Sequence, residues 1–136
     1  MYYLKSLYIF FIVLALNIFF FSTASLKANP FFINDIEVSE QLENNFNKDF
    51  LINKGFTIAF NELINTLVRS KDLKKTKDVK LNEITAMIVS FSIQEEKFIN
   101  NVYHLNLGVL FNKKKIFKYL EKKNIFPTQI VTETFL

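Results

Sequence analysis

From Ile52 the apolar residues recur every three or four positions, at Ile52, Phe56, Phe60, Leu63 and Leu67, and Ala59, Ile64 and Val68 widen the stripe. That spacing follows the 3.6-residue helical period and predicts one long amphipathic helix with a single buried face, running through "GFTIAFNELINTLVRSKDL". Gly55 inside it costs about 1 kcal/mol relative to alanine, which a tight approach to a neighbouring element would justify. Upstream, "EQLENNFNKDFLINK" is polar and offers Asn44, Asn45 and Asn47 as caps, while Phe50 and Leu51 fall out of phase and leave the helix start open.

Elsewhere the period changes to two. "PFFINDIEVS" places Phe32, Ile36 and Val38 at even spacing, with Asn34 on the same side and Asp35 and Glu37 opposite, and reads as a strand. "VSFSIQEEKFI" and "VYHLNLGVLF" both alternate, Val89, Phe91 and Ile93 in the first and Tyr103, Leu105, Leu107, Val109 and Phe111 in the second. Asn100 and Asn101 separate them and tolerate the positive φ of a tight turn, so the two strands form an antiparallel hairpin whose apolar face the long helix is expected to cover. Leu81, Ile84 and Ile88 mark a short helix that runs directly into the hairpin. "KKKIFKYLEKKN", capped by Asn112 and stopped by Pro127, forms a last helix on a narrow stripe of Ile116, Phe117 and Leu120. The predicted fold is a small α+β domain over residues 29–127, in the order β-α-α-β-β-α, with an antiparallel sheet and helices packed on one face. Residues 128–136, "TQIVTETFL", are a β-prone tail that reads as the start of an element continuing past it.

The first 28 residues belong to a different pattern. Lys5 is followed by an apolar run from Leu7 to Phe21 and by the small residues Ser22, Thr23 and Ala24, the three parts of a secretory signal, with cleavage expected between residues 24 and 28. A retained membrane anchor is the alternative. Fifteen apolar residues make a helix of roughly 22 Å, short of a hydrocarbon core about 30 Å thick. The span from Ser6 to Leu26 is long enough but carries Asn17, Ser22, Thr23 and Ser25. A lipoprotein anchor would need a cysteine, and the chain has none.

Charge changes the picture little. The net charge of +4 includes Lys5 and Lys27, and residues 29–136 hold fifteen basic against thirteen acidic side chains, too even a balance for a polyanion-binding surface. The basic run "RSKDLKKTKDVK" reads as a solvated connection rather than an anion-binding loop. Lys113, Lys114, Lys115, Lys118, Lys122 and Lys123 with Phe117 and Tyr119 are the best nucleic-acid candidates, yet packing explains those aromatics better, and no nucleic-acid partner is expected.

Chemistry-bearing residues are sparse. His104 is the one imidazole and there is no thiol, so a nucleophile–base pair and a zinc site are both out of reach. Asp35 with Glu37 and Glu95 with Glu96 are the available carboxylate pairs, and both read as ordinary strand acids. Two glycines exclude a Gly-rich phosphate loop. No catalytic, metal or cofactor-binding residue is assigned.

The strings "INDIEVS", "LINTLVRS" followed by "KDL", "AMIVSFSI", "LNLGVLFN" and "LEKKNIFP" together resemble a family of exported bacterial proteins, domain of unknown function 2066, over roughly Phe31 to Pro127. The resemblance implies an exported protein, periplasmic in a Gram-negative bacterium, and carries over no catalytic residue. Gly55 stands where such helices more often have alanine, and family members are longer, which implies a truncated or minimal version here. The expected function is a non-enzymatic binding or assembly module of the envelope whose partner is another envelope protein. The alternative is an α+β domain tethered to the inner membrane through residues 6–26. Contact with a partner is expected on the polar face of the long helix, at Asn61, Glu62, Asn65 and Thr66, and along the loop from Arg69 to Lys80.

Overall fold

Asn47 begins the long helix: its side chain accepts from the backbone N–H groups of Asp49 at 2.9 Å and Phe50 at 3.3 Å, satisfying two donors that the first turn leaves free. The computed structural model describes residues 29–127, so the signal-like segment and the tail lie outside the described residues. Its elements are β1 (Phe32–Gln41), α1 (Lys48–Leu67), a 3-10 turn (Leu73–Thr76), α2 (Leu81–Met87), β2 (Ile88–Ile99), β3 (Val102–Phe111) and α3 (Lys113–Lys122). This is the expected α+β order, with the helices packed against an antiparallel sheet of strand order β1-β3-β2.

β3 is therefore the central strand. Asn100 and Asn101 join it to β2 with φ of 51° and 62°, the left-handed pair that a two-residue hairpin requires. The end of β1 is tied to the same turn, because Leu42 N–H donates to the Asn101 carbonyl at 2.9 Å and the Asn101 amide returns a bond to the Leu42 carbonyl at 3.2 Å.

α1 lies across β1 and β3. Leu51, Gly55, Ala59, Leu63 and Leu67 run down the middle of its buried face, flanked by Phe56, Phe60 and Ile64. Leu51 is fully buried, whereas Ile52, expected to open the stripe, is only partly so. The phase is hidden in the sequence because its second member is a glycine, which carries no apolar side chain. Gly55 sits there for the reason its cost implies: a Cβ would run into Leu107 Cδ1 of β3. The helix passes closest to the sheet at this residue.

β1 departs from even alternation. Its register against β3 shifts between Ile33 and Ile36, where Asn34 and Asp35 on β1 stand opposite the single residue Gly108 on β3. Asp35 takes a φ of 59° at this bulge and accepts from the Asn34 amide at 2.7 Å. The extra residue moves Ile33 to the helix side together with Ile36 and Val38, and turns Phe32 onto the open side, 41% exposed. Phe32 is thus not part of the buried set that even spacing predicts.

The basic connection contains a 3-10 turn with Thr76 buried at its end. α3 starts on the Asn112 cap, which accepts from Lys115 N–H at 3.1 Å, and buries Ile116, Tyr119 and Leu120. Phe117, placed in that stripe by spacing, is half-buried and meets Phe31 edge-on, while Tyr119 packs on Phe60. Asn124, with φ 54°, ends α3 ahead of Pro127 by reversing the chain, so that Ile125 N–H reaches the Leu120 carbonyl.

Candidate functional site

An α-helix is about 10 Å across and strands lie about 4.8 Å apart. One helix therefore covers two strands of a three-stranded sheet and leaves the third bare. In this protein the bare strand is β2. All its residues after Ile88 are exposed. Val89 is 58%, Phe91 47%, Ile93 39%, Phe98 61% and Ile99 50% exposed, which corrects the expectation that the long helix covers the whole hairpin. Only the β3 half of the hairpin's apolar face, Leu105, Leu107, Val109 and Phe111, is buried.

The uncovered side of β2 forms a trough. Phe56 reaches over from α1 and meets the Phe91 ring edge-on, with centroids 5.0 Å apart. Phe56, Thr85, Ile88, Val89, Ser90 and Phe91 line a shallow hollow of about 420 Å³ there. Chemically it can offer apolar contact and a strand edge that is unpaired among the described residues.

At the other end of β2 the register shifts again between Ile93 and Glu95, and the strand becomes charged. Glu96 faces the helix side, where the Tyr103 hydroxyl donates to it and Lys48 Nζ bonds both its oxygens at 3.0 Å. Those donors, Tyr103 first and then Lys48, hold the Glu96 carboxyl below the ordinary glutamate range. Burial, followed by the neighbouring Glu96, pushes the Tyr103 hydroxyl up. Lys48 is raised by the hydrogen bonds to Tyr103 and Glu96. The trio clips the start of α1 to the hairpin, with Glu96 exposed and Lys48 and Tyr103 half-buried.

On the open face, β3 brings Asn106 between Glu37 of β1 and Glu95 of β2, and His104 between Ser39 and Lys97. These six side chains line a depression of about 340 Å³, and the Asn106 Oδ1 atom is buried without a hydrogen-bond partner. Neither carboxylate pair read from the sequence is assembled: Asp35 is diverted by the bulge, and Glu95 and Glu96 point to opposite faces. The fold juxtaposes Glu37 and Glu95 instead, one on each side of β3 and about 10 Å apart at two strand spacings. Glu95 is engaged by Lys97 at 2.6 Å. His104 lies on the polar face, as alternation places it. Among the described residues no cluster of three or more His, Asp or Glu is placed to hold a metal ion.

Asn61, Glu62, Asn65 and Thr66 are exposed on α1 and offer only ordinary polar surface. The apolar surface at β2 was missed in the sequence because its residues carry the same alternation as β3. The signal that could have found it is geometric: one long helix is available for three strands. No family model matches the chain, and neither a curated protein nor a solved structure matches it.

Proposed function

We propose that the protein is an exported, non-enzymatic module of the bacterial envelope that binds another polypeptide along the edge strand β2. The observation that carries this reading is the exposure of β2: five large apolar side chains stand between 39% and 61% open on a strand whose outer edge, among the described residues, pairs with no other strand. Free strand edges and contiguous apolar surface are what an extended chain uses to extend a sheet, with main-chain bonds supplying affinity and alternate side chains supplying specificity. The signal-like amino terminus, together with the resemblance read in the sequence, supports a location outside the cytoplasm. Fractionation of cells carrying a tagged copy tests the location: recovery in the cytoplasm would remove it, and a mature chain beginning at residues 25–29 would remove the tethered alternative. Photo-crosslinking from position 91 in whole cells tests the surface. Adducts to a polypeptide are expected from position 91 and not from position 62 on the far side of α1; no adduct from 91 removes the reading.

A further inference from the structure

We infer that the polypeptide seated on β2 is a second copy of this chain, paired antiparallel through Val89–Ile93 about a two-fold axis at Phe91. The inference rests on the reading of β2 as the contact surface and identifies its occupant.

The argument is the pattern of the strand itself. Val89-Ser90-Phe91-Ser92-Ile93 reads the same in either direction by residue class: apolar, serine, phenylalanine, serine, apolar. Two copies crossing antiparallel at Phe91 place Phe91 opposite Phe91, Val89 opposite Ile93, and Ser90 opposite Ser92. Facing residues of an antiparallel pair share a side of the sheet. The three apolar positions then line the helix side and the serines, each both donor and acceptor, meet on the open side.

Charge fixes the register. A two-fold axis sets the residue lying on it against its own copy, which a charged residue does not tolerate. Glu95, Glu96 and Lys97 all lie beyond the paired segment. Moving the axis by one step to Ser92, with facing side chains still on one side, sets Val89 against Glu95. The register of β2 on β3 is regular from Ser90 to Ile93 and shifts at Val89 and at Gln94, so the straight part of the edge is uncharged, with Val89 at its margin. An axis perpendicular to the sheet keeps both sets of helices on one side, and the two hollows beside Phe56 open onto each other. The result is a continuous six-stranded sheet, β1-β3-β2-β2-β3-β1.

The absence of native cysteine makes the register directly readable. Purified protein, in whichever processed form it accumulates, is measured by light scattering across a dilution series and then as single-cysteine variants under mild oxidation. Twice the chain mass is expected, with F91C forming a rapid disulfide dimer, because residues facing each other across an antiparallel pair lie within bridging distance. V89C should not bridge, its two copies being four strand positions apart, about 14 Å. F91K, which puts like charges on the axis, should raise the dimer dissociation constant at least tenfold, with circular dichroism confirming that it folds. A monomer at every concentration, equal bridging by V89C and F91C, or bridging by S92C in place of F91C would each overturn the inference. A monomeric protein that still gives photo-adducts to a different chain from position 91 would overturn the second copy alone and leave the proposed function standing. No adduct of any kind removes both.

Discussion

β1 and β2 flank the same central strand and both end the sheet, but they are finished in opposite ways. β1 lies under α1, buries Ile36 and Val38, and is bent at Asp35 by a bulge that breaks any straight edge. Glu37 and Glu40 add charge along it. These are the usual protections of a sheet edge against pairing. β2 carries its charges only past Ile93, and between the register shifts beside Ile88 and past Ile93 its edge is uncharged, apolar and uncovered. Burial is thus not a property of alternating sequence: Phe91 and Val109 face each other across the ladder, yet one is 47% exposed and the other fully buried.

The comparison breaks most clearly in the core under β1 and β3. Phe60→Ala or Leu63→Ala should lower stability by about 2–5 kcal/mol, the usual loss for emptying a fully buried site. Urea midpoints unchanged by both would show that α1 does not seat on the sheet. Next in size, Gly55→Ala should destabilise by about 1–3 kcal/mol through the clash with Leu107, outweighing the roughly 1 kcal/mol that alanine gains in helix propensity. A rise in midpoint would mean that α1 stands farther off β3. On the bare strand, Phe91→Ala should cost under about 1 kcal/mol in dilute protein, as exposed positions do. A loss equal to that of Phe60→Ala would erase the difference between the two edges.

The smallest effect belongs to the exposed clip at Glu96. Its carboxyl is held low in the folded chain, so it stabilises above the unfolded glutamate value and that contribution is lost as pH falls through the folded one. Lys48 is raised, so its share is present below the unfolded lysine value and disappears as pH rises through the folded one. Glu96→Gln should therefore make the acid limb of the stability profile shallower. Identical acid limbs in the two proteins would show that the clip does not persist in water.

Much of the fold was legible in local pattern. The hairpin follows from Asn100 and Asn101, the start of α3 from Asn112, and the close passage of α1 from Gly55. The phase of β1 was not, because a bulge depends on one residue taking a left-handed conformation that Asn34 and Asp35 permit without announcing. Of the surface, the position of His104 and the polar face of α1 at Asn61, Glu62, Asn65 and Thr66 were readable; the meeting of Glu37, Asn106 and Glu95 required knowing that β3 lies between β1 and β2.

By itself the sequence determined the period of each segment, and so which segments are helix or strand and, except at the bulge of β1, which side of each is apolar, since side-chain direction repeats at 3.6 or 2 residues whatever the neighbours. Tertiary structure alone decided which apolar sides are buried. Strand order put β3 in the middle, and one helix about 10 Å wide shelters two strands but not a third. Ile36 and Leu107 became core, and Val89, Phe91 and Ile93, built to the same pattern, were left facing outward.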